Sequence, residues 1–151
     1  MNKFLFISLF LFGFSLNGAV LDNIQSGSVT MPSGTATVTV SITAVDLTKS
    51  FLIFSVSGQN DGPTHFMVGG HLSAADEIEF VREGTAPELE IGYQVFEFAS
   101  GVSVQRGEAA AINSGSPFER NVTISSVDLT ESFATVTYTC LLYTSPSPRD
   151  A

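Results

Sequence analysis

Apolar and polar residues alternate along much of this chain with a period of two. Val38, Val40 and Ile42 alternate with Thr37, Thr39, Ser41 and Thr43. Ile78 and Phe80 alternate with Glu77 and Glu79, and Leu89, Ile91, Tyr93 and Val95 with Glu90, Gly92 and Gln94. Val102 and Val104 alternate with Ser103 and Gln105, and Val122 and Ile124 with Thr123 and Ser125. Successive strand side chains point to opposite faces, so the pattern predicts half-buried antiparallel strands. Phe51 to Val56 (FLIFSV) is apolar on both faces, which predicts a central strand. Turn signals cluster at Gly58 to Gly62, at Gly69-Gly70 and at Gly84. No window predicts a long helix, and Ser73 to Glu77 is read as one short turn. The predicted fold is all-β, an antiparallel β-sandwich or partly closed barrel of roughly six or seven short strands. Phe51, Ile53, Phe54, Val56, Phe80, Val95, Phe96 and Phe98 are placed in or beside its core.

The pattern is also copied. Val40 to Phe51 (VSITAVDLTKSF) returns as Val122 to Phe133 (VTISSVDLTESF), 82 residues later, with eight of twelve positions identical. Ile24-Gln25-Ser26-Gly27 matches Val104-Gln105-Arg106-Gly107 at an offset of 80. Loops absorb a two-residue length change at little free-energy cost, which places a loop around Met31 to Thr35. The expectation is a tandem repeat of about 80 residues: a first module over 20–101 and the start of a second, truncated one over 102–139. Within the copied segment, Asp46-Leu47-Thr48 and Asp128-Leu129-Thr130 each join two strands. Asp46 and Asp128 are read as turn residues, because a carboxylate readily accepts from backbone amides two or three positions on.

The two ends read differently from the middle. Met1-Asn2-Lys3 followed by thirteen mostly apolar residues, Phe4 to Leu16, and small residues at Gly18-Ala19 has the pattern of a secretory signal peptide over 1–19. Thirteen residues is short of the ~20 that a spanning helix needs. Residues 140–150, CLLYTSPSPRD, resemble the in-frame translation of a transposase sequencing adapter at all eleven positions. On that reading residues 140–151 are an adapter-derived artefact, Cys140 is foreign, and the gene continues past Tyr138. Cysteine then contributes neither a disulfide nor thiol chemistry.

Between Val20 and Thr139 the chain has fourteen acidic side chains and four basic ones, Lys49, Arg82, Arg106 and Arg120. Such a surface repels phosphates, so nucleic acid is excluded as a partner. With the signal removed, no membrane span is expected.

Candidate chemistry is sparse. His65 and His71, with Asp61 or Asp76, have the residue types of a metal site, but no short ligand pair or Asp-x-Asp-x-Asp-Gly loop is present, so neither a metal nor another cofactor is expected. Glu88, Glu90 and Glu97 are the available carboxylates for glycosidase chemistry, which needs a pair about 5–10 Å apart. No nucleophile elbow, P-loop or zinc-protease motif occurs, and the chain is read as no enzyme. Asn121-Val122-Thr123 is a glycosylation sequon by pattern.

The order I-Q-S-G (Ile24 to Gly27), then V-S-I-T-A-V-D (Val40 to Asp46), then the closing strand IGYQVFEF (Ile91 to Phe98) resembles the H-type lectin module. That family implies a six-stranded antiparallel sandwich that trimerises and binds N-acetylgalactosamine-type sugars. This chain has no Trp, and Tyr93 stands where the family's closing Trp would be. Sugar sites combine an aromatic face with polar groups, which makes Asn60, Asp61, His65 and Tyr93 the candidate ligand-binding residues. Two functions follow as expectations. One is a secreted or cell-surface repeat module, structural or adhesive, whose partners are other copies of itself. The other is a carbohydrate-binding module that takes extracellular glycans as a homo-oligomer.

Overall fold

A computed structural model describes residues 18–58, 66–83, 85, 87–107 and 121–137. Residues 1–17 of the expected signal segment over 1–19, and the whole expected adapter-derived tail over 140–151, lie outside the described residues. Six strands form: β1 (Val20–Met31), β2 (Thr37–Ser41), β3 (Ser50–Gly58), β4 (Val68–Ala74), β5 (Glu77–Arg82) and β6 (Leu89–Ser100). They make two antiparallel three-stranded sheets, ordered β1-β6-β3 and β2-β5-β4. No α-helix occurs among the described residues.

The core lies between the sheets. Met31, Leu89, Ile91 and Val95 from the first sheet meet Val68, Leu72, Ile78 and Phe80 from the second, each at most 5% exposed. Alternation explains the selection. Leu89, Ile91, Tyr93 and Val95 share the inner face of β6, while Glu90, Gly92, Gln94 and Phe96 share the outer one. Phe54 of β3 meets Phe80 of β5 edge-on, with ring centroids 5.2 Å apart. Gly70 of β4 makes room for that pair, because a Cβ there would come within 2.7 Å of Phe80 and 2.8 Å of Phe54.

Two expectations about strands are corrected. The FLIFSV strand, β3, lies at a sheet edge, and β6 and β5 are the central strands. Its second apolar face does not meet another layer. Phe51 stacks instead on its cross-strand neighbours Phe96 and Phe98, at 5.2 and 5.9 Å, on the outer surface of the sheet. Ile53, on the same outer face, is 46% exposed and so stands apart from the core. The alternating stretches Val102 to Gln105 and Val122 to Ser125 are not strands either. A strand needs a hydrogen-bonded neighbour. Their first-copy counterparts pair with β6 and β5, and no equivalent pairing occurs among the described residues. Val122 and Ile124 are accordingly 51% and 59% exposed.

Candidate functional site

The chain crosses between the sheets over residues 42–49, and this crossover is tied down from four sides. Ile42 N donates to Asp76 O and Val45 N to Ala75 O, both at 2.9 Å, which fastens it to the β4–β5 turn. Gln25, reaching from the inner face of β1, donates through Nε2 to Thr43 O and accepts from Thr43 N at Oε1, both at 2.8 Å. Asp46 N donates to Glu97 Oε1 at 2.6 Å. Val45 is buried beneath, 6% exposed.

The turn that follows closes on Asp46. Its Oδ1 accepts from Thr48 N at 2.9 Å and from Thr48 Oγ1 at 2.6 Å, and Lys49 Nζ lies 3.4 Å from Oδ2. The Thr48 hydroxyl and amide, with Lys49 beside them, hold the Asp46 carboxyl below its ordinary value of 3.8. Each backbone carbonyl from Asp46 to Ser50 is then used. Asp46 O accepts from Lys49 N at 3.0 Å and from the Ser50 hydroxyl at 2.8 Å. Thr48 O accepts from Val104 N at 2.8 Å, and Lys49 O from Phe98 N at 3.1 Å. The Arg106 guanidinium donates to the remaining two, Leu47 O through Nη1 and Ser50 O through Nη2.

The recurring sequence segment shows part of the same set. Gln105 Nε2 donates to Ser125 O at 3.2 Å, and its Oε1 accepts from Ser125 N at 2.7 Å. Asp128 Oδ1 accepts from Thr130 N at 2.8 Å and from Thr130 Oγ1 at 2.7 Å, which lowers its pKa from 3.8 for the same reason as Asp46. Glu131 N donates to Asp128 O at 3.2 Å, as Lys49 N does to Asp46 O.

At the opposite end of the sheets stands Arg82, 1% exposed. Its side chain donates to four backbone carbonyls, Thr35 at 2.9 Å, Pro87 at 2.5 Å, Pro32 at 2.9 Å and Thr85 at 3.1 Å. These carbonyls come from the β1–β2 and β5–β6 loops, so one planar donor fork joins both. Burial lowers the Arg82 pKa, though a guanidinium keeps its charge at any ordinary pH.

Of the sequence-derived ligand candidates, Asn60, Asp61 and His65 lie outside the described residues. Tyr93 is half-buried on β6 with Gly27 and Phe54 as its cross-strand partners. Gly27 gives its phenol space, since a Cβ there would stand 2.5 Å from Tyr93 Oη. A shallow groove of about 470 Å³ crosses the three strands here, bounded by Ser26, Gly27, Ile53, Phe54, Ser55, Gly92, Tyr93 and Gln94. His71 faces Glu79 across the β4–β5 ladder, with Nε2 3.6 Å from Oε2. No group of three or more His, Cys, Asp or Glu stands together among the described residues. Glu90 and Glu97 are not brought together. Seven residues of one strand separate them by roughly 23 Å at ~3.3 Å per residue. Glu90 accepts from Thr30 Oγ1 at 2.9 Å and Glu97 serves Asp46 N.

Sequence reasoning noted the recurrence of Gln25 and Gln105 but assigned them no role, and counted Arg82 and Arg106 only among the basic charges. The signal for the glutamines was present: each lies a similar distance before a Ser/Thr in the copied segment, Gln25 before Thr43 and Gln105 before Ser125. For the arginines there was none, because their partners are backbone carbonyls, which carry no sequence signature. The chain matches no protein-family model, no curated protein and no solved structure.

Proposed function

We infer that this chain is a secreted, non-enzymatic repeat module of an extracellular or cell-surface protein, used as a structural or adhesive unit. The observation that carries this reading is the pairing of two hydrogen-bond sets. Gln25–Thr43 with Asp46–Thr48 and Gln105–Ser125 with Asp128–Thr130 join aligned positions through the same atoms. Side chains kept for such a bridge serve the building of a module, and repetition of modules supplies length and many weak contacts. The acidic surface and the signal-like start accord with export. The test is to read the gene in its source DNA past the codon for Tyr138 and count the V-Q-x-G and V-D-L-T segments. Further copies in frame support the array; a frame encoding CLLYTSPSPRD and then unrelated sequence overturns it.

A second reading, carbohydrate binding of the H-type lectin kind, is favoured by one feature. The groove across β1, β6 and β3 sets the polar side chains of Ser26, Ser55 and Gln94 beside Ile53 on the outer face of the sheet, while the Tyr93 ring points to the inner face. Glycan-array binding that Gln94→Ala and Ser55→Ala abolish would select it over the structural unit.

A further inference from the structure

The second copy is not tethered to the first by a bare linker. Chain leaving β6 runs back along the turn of the first copy, where Val104 N donates to Thr48 O at 2.8 Å. Two residues later Arg106 spans the same turn and donates to Leu47 O and Ser50 O. Further on, Phe133 packs edge-on against Phe51, with centroids 5.5 Å apart. Thr137 Oγ1 then stands 3.4 Å from both N and O of Gly70, and Val136 and Thr137 share a pocket wall with Phe54, Phe66 and Val68. The segment over 133–137 therefore touches the flank of the edge strands β3 and β4 through the Phe133 ring and the Thr137 hydroxyl, with Phe133 and Val136 still 73% and 82% exposed.

Two details point past incidental packing. Phe51 and Phe133 are the same position of the two copies, 82 residues apart. A contact between equivalents can recur from copy to copy without change of geometry. The position of Arg106 is occupied in the first copy by Ser26, which has no neighbouring turn to hold among the described residues.

We propose that Arg106 is the latch of an intermodule joint, which seats each following copy on the Asp-Leu-Thr turn and the β3–β4 flank of the copy before it. The partner of this surface is the next module of the same chain. Copies so joined form a stiff, oriented rod and not beads on a flexible string. This rests on the repeat-module reading but is tested apart from it, since further copies in the gene can be found whether or not the joint is rigid.

The experiment compares the whole chain with Arg106→Ala, Arg106→Lys and Phe133→Ala by amide hydrogen exchange and ¹⁵N heteronuclear NOE. In the parent, the Val104 amide is expected to be protected and residues 121–137 to tumble with β3. Loss of about one hydrogen bond's net worth in Arg106→Ala speeds Val104 exchange about fivefold. Exchange in β5, on the far side of the core, stays as it was. Arg106→Lys, with a point charge in place of the fork, recovers part of the protection, and Phe133→Ala frees residues 133–137 without unfolding the sheets. Coil-like NOE values over 121–137 in the parent would overturn the proposal. So would unchanged Val104 exchange in both Arg106 variants.

Discussion

Gln25 binds the backbone of Thr43 as a neighbouring strand would, giving one hydrogen bond and taking one, each 2.8 Å long. A primary amide is the side chain that can do both at once, because it carries a donor and an acceptor side by side. Glutamate has the reach and lacks the donor. The bridge fixes where the crossover leaves β2, and so where Val45 enters the core and where the turn at Asp46 begins.

Gln25→Glu is therefore expected to lower stability by about 1–2 kcal/mol, through the lost bond to Thr43 O and the carboxylate set against it. Urea unfolding read by circular dichroism checks this, and the midpoint is expected to fall with an unchanged slope. A midpoint equal to the parent's would remove Gln25 from the account of the crossover.

Arg82 is the residue whose loss is expected to hurt most. Arg82→Met fills most of the space but leaves four loop carbonyls without their donor, and an unsatisfied buried polar group costs about 1–3 kcal/mol. Loop relaxation and water recover part of this, so a net loss of about 3–5 kcal/mol is expected, in the range measured for broken buried charge contacts. Arg82→Lys is expected to lose less, keeping the charge but not the fork. Thermal melts of both variants decide it, and a Met variant within ~1 kcal/mol of the parent would show that water replaces the guanidinium.

Gly70→Ala tests the close approach of β4 to the aromatic pair. The added methyl meets Phe80 and Phe54 at under 3 Å, so one ring must shift. Overpacking of this kind costs about 1–3 kcal/mol. Pairing it with Phe54→Leu is expected to return part of the loss, measured as a non-additive double-mutant cycle.

Acid is expected to weaken the turns in a defined direction. The Asp46 and Asp128 carboxyls titrate below 3.8 in the folded chain, held down first by the hydroxyls of Thr48 and Thr130. Between the folded and unfolded pKa values the unfolded chain binds more protons, so stability falls with falling pH. The contribution is whole above about pH 4 and is lost as pH drops through the lowered folded values. Asp46→Asn keeps an acceptor for Thr48 and removes the titration, so its urea midpoint is expected to decline less steeply below pH 4 than the parent's. Equal acid slopes in the two proteins would show that Asp46 contributes nothing to it.

What the sequence determined by itself was local. Period-two alternation named the inner face of β6 through Leu89, Ile91 and Val95 and that of β5 through Ile78 and Phe80, because burial acts on one face of a pleated strand at a time. The recurrence of Val-Asp-Leu-Thr and of Gln25 at Gln105 was visible as identity alone. Which strand is central was not legible: FLIFSV is apolar on both faces, whether a second sheet covers the outer one or Phe96, Phe98 and Phe133 do. Nor was the strand state of Val122 to Ser125, since alternation gives a strand its faces and only a hydrogen-bonded neighbour makes it one. The roles of Arg82 and Arg106 came from tertiary structure alone, because the carbonyls they hold belong to every residue and are set apart only by where the folded chain brings them.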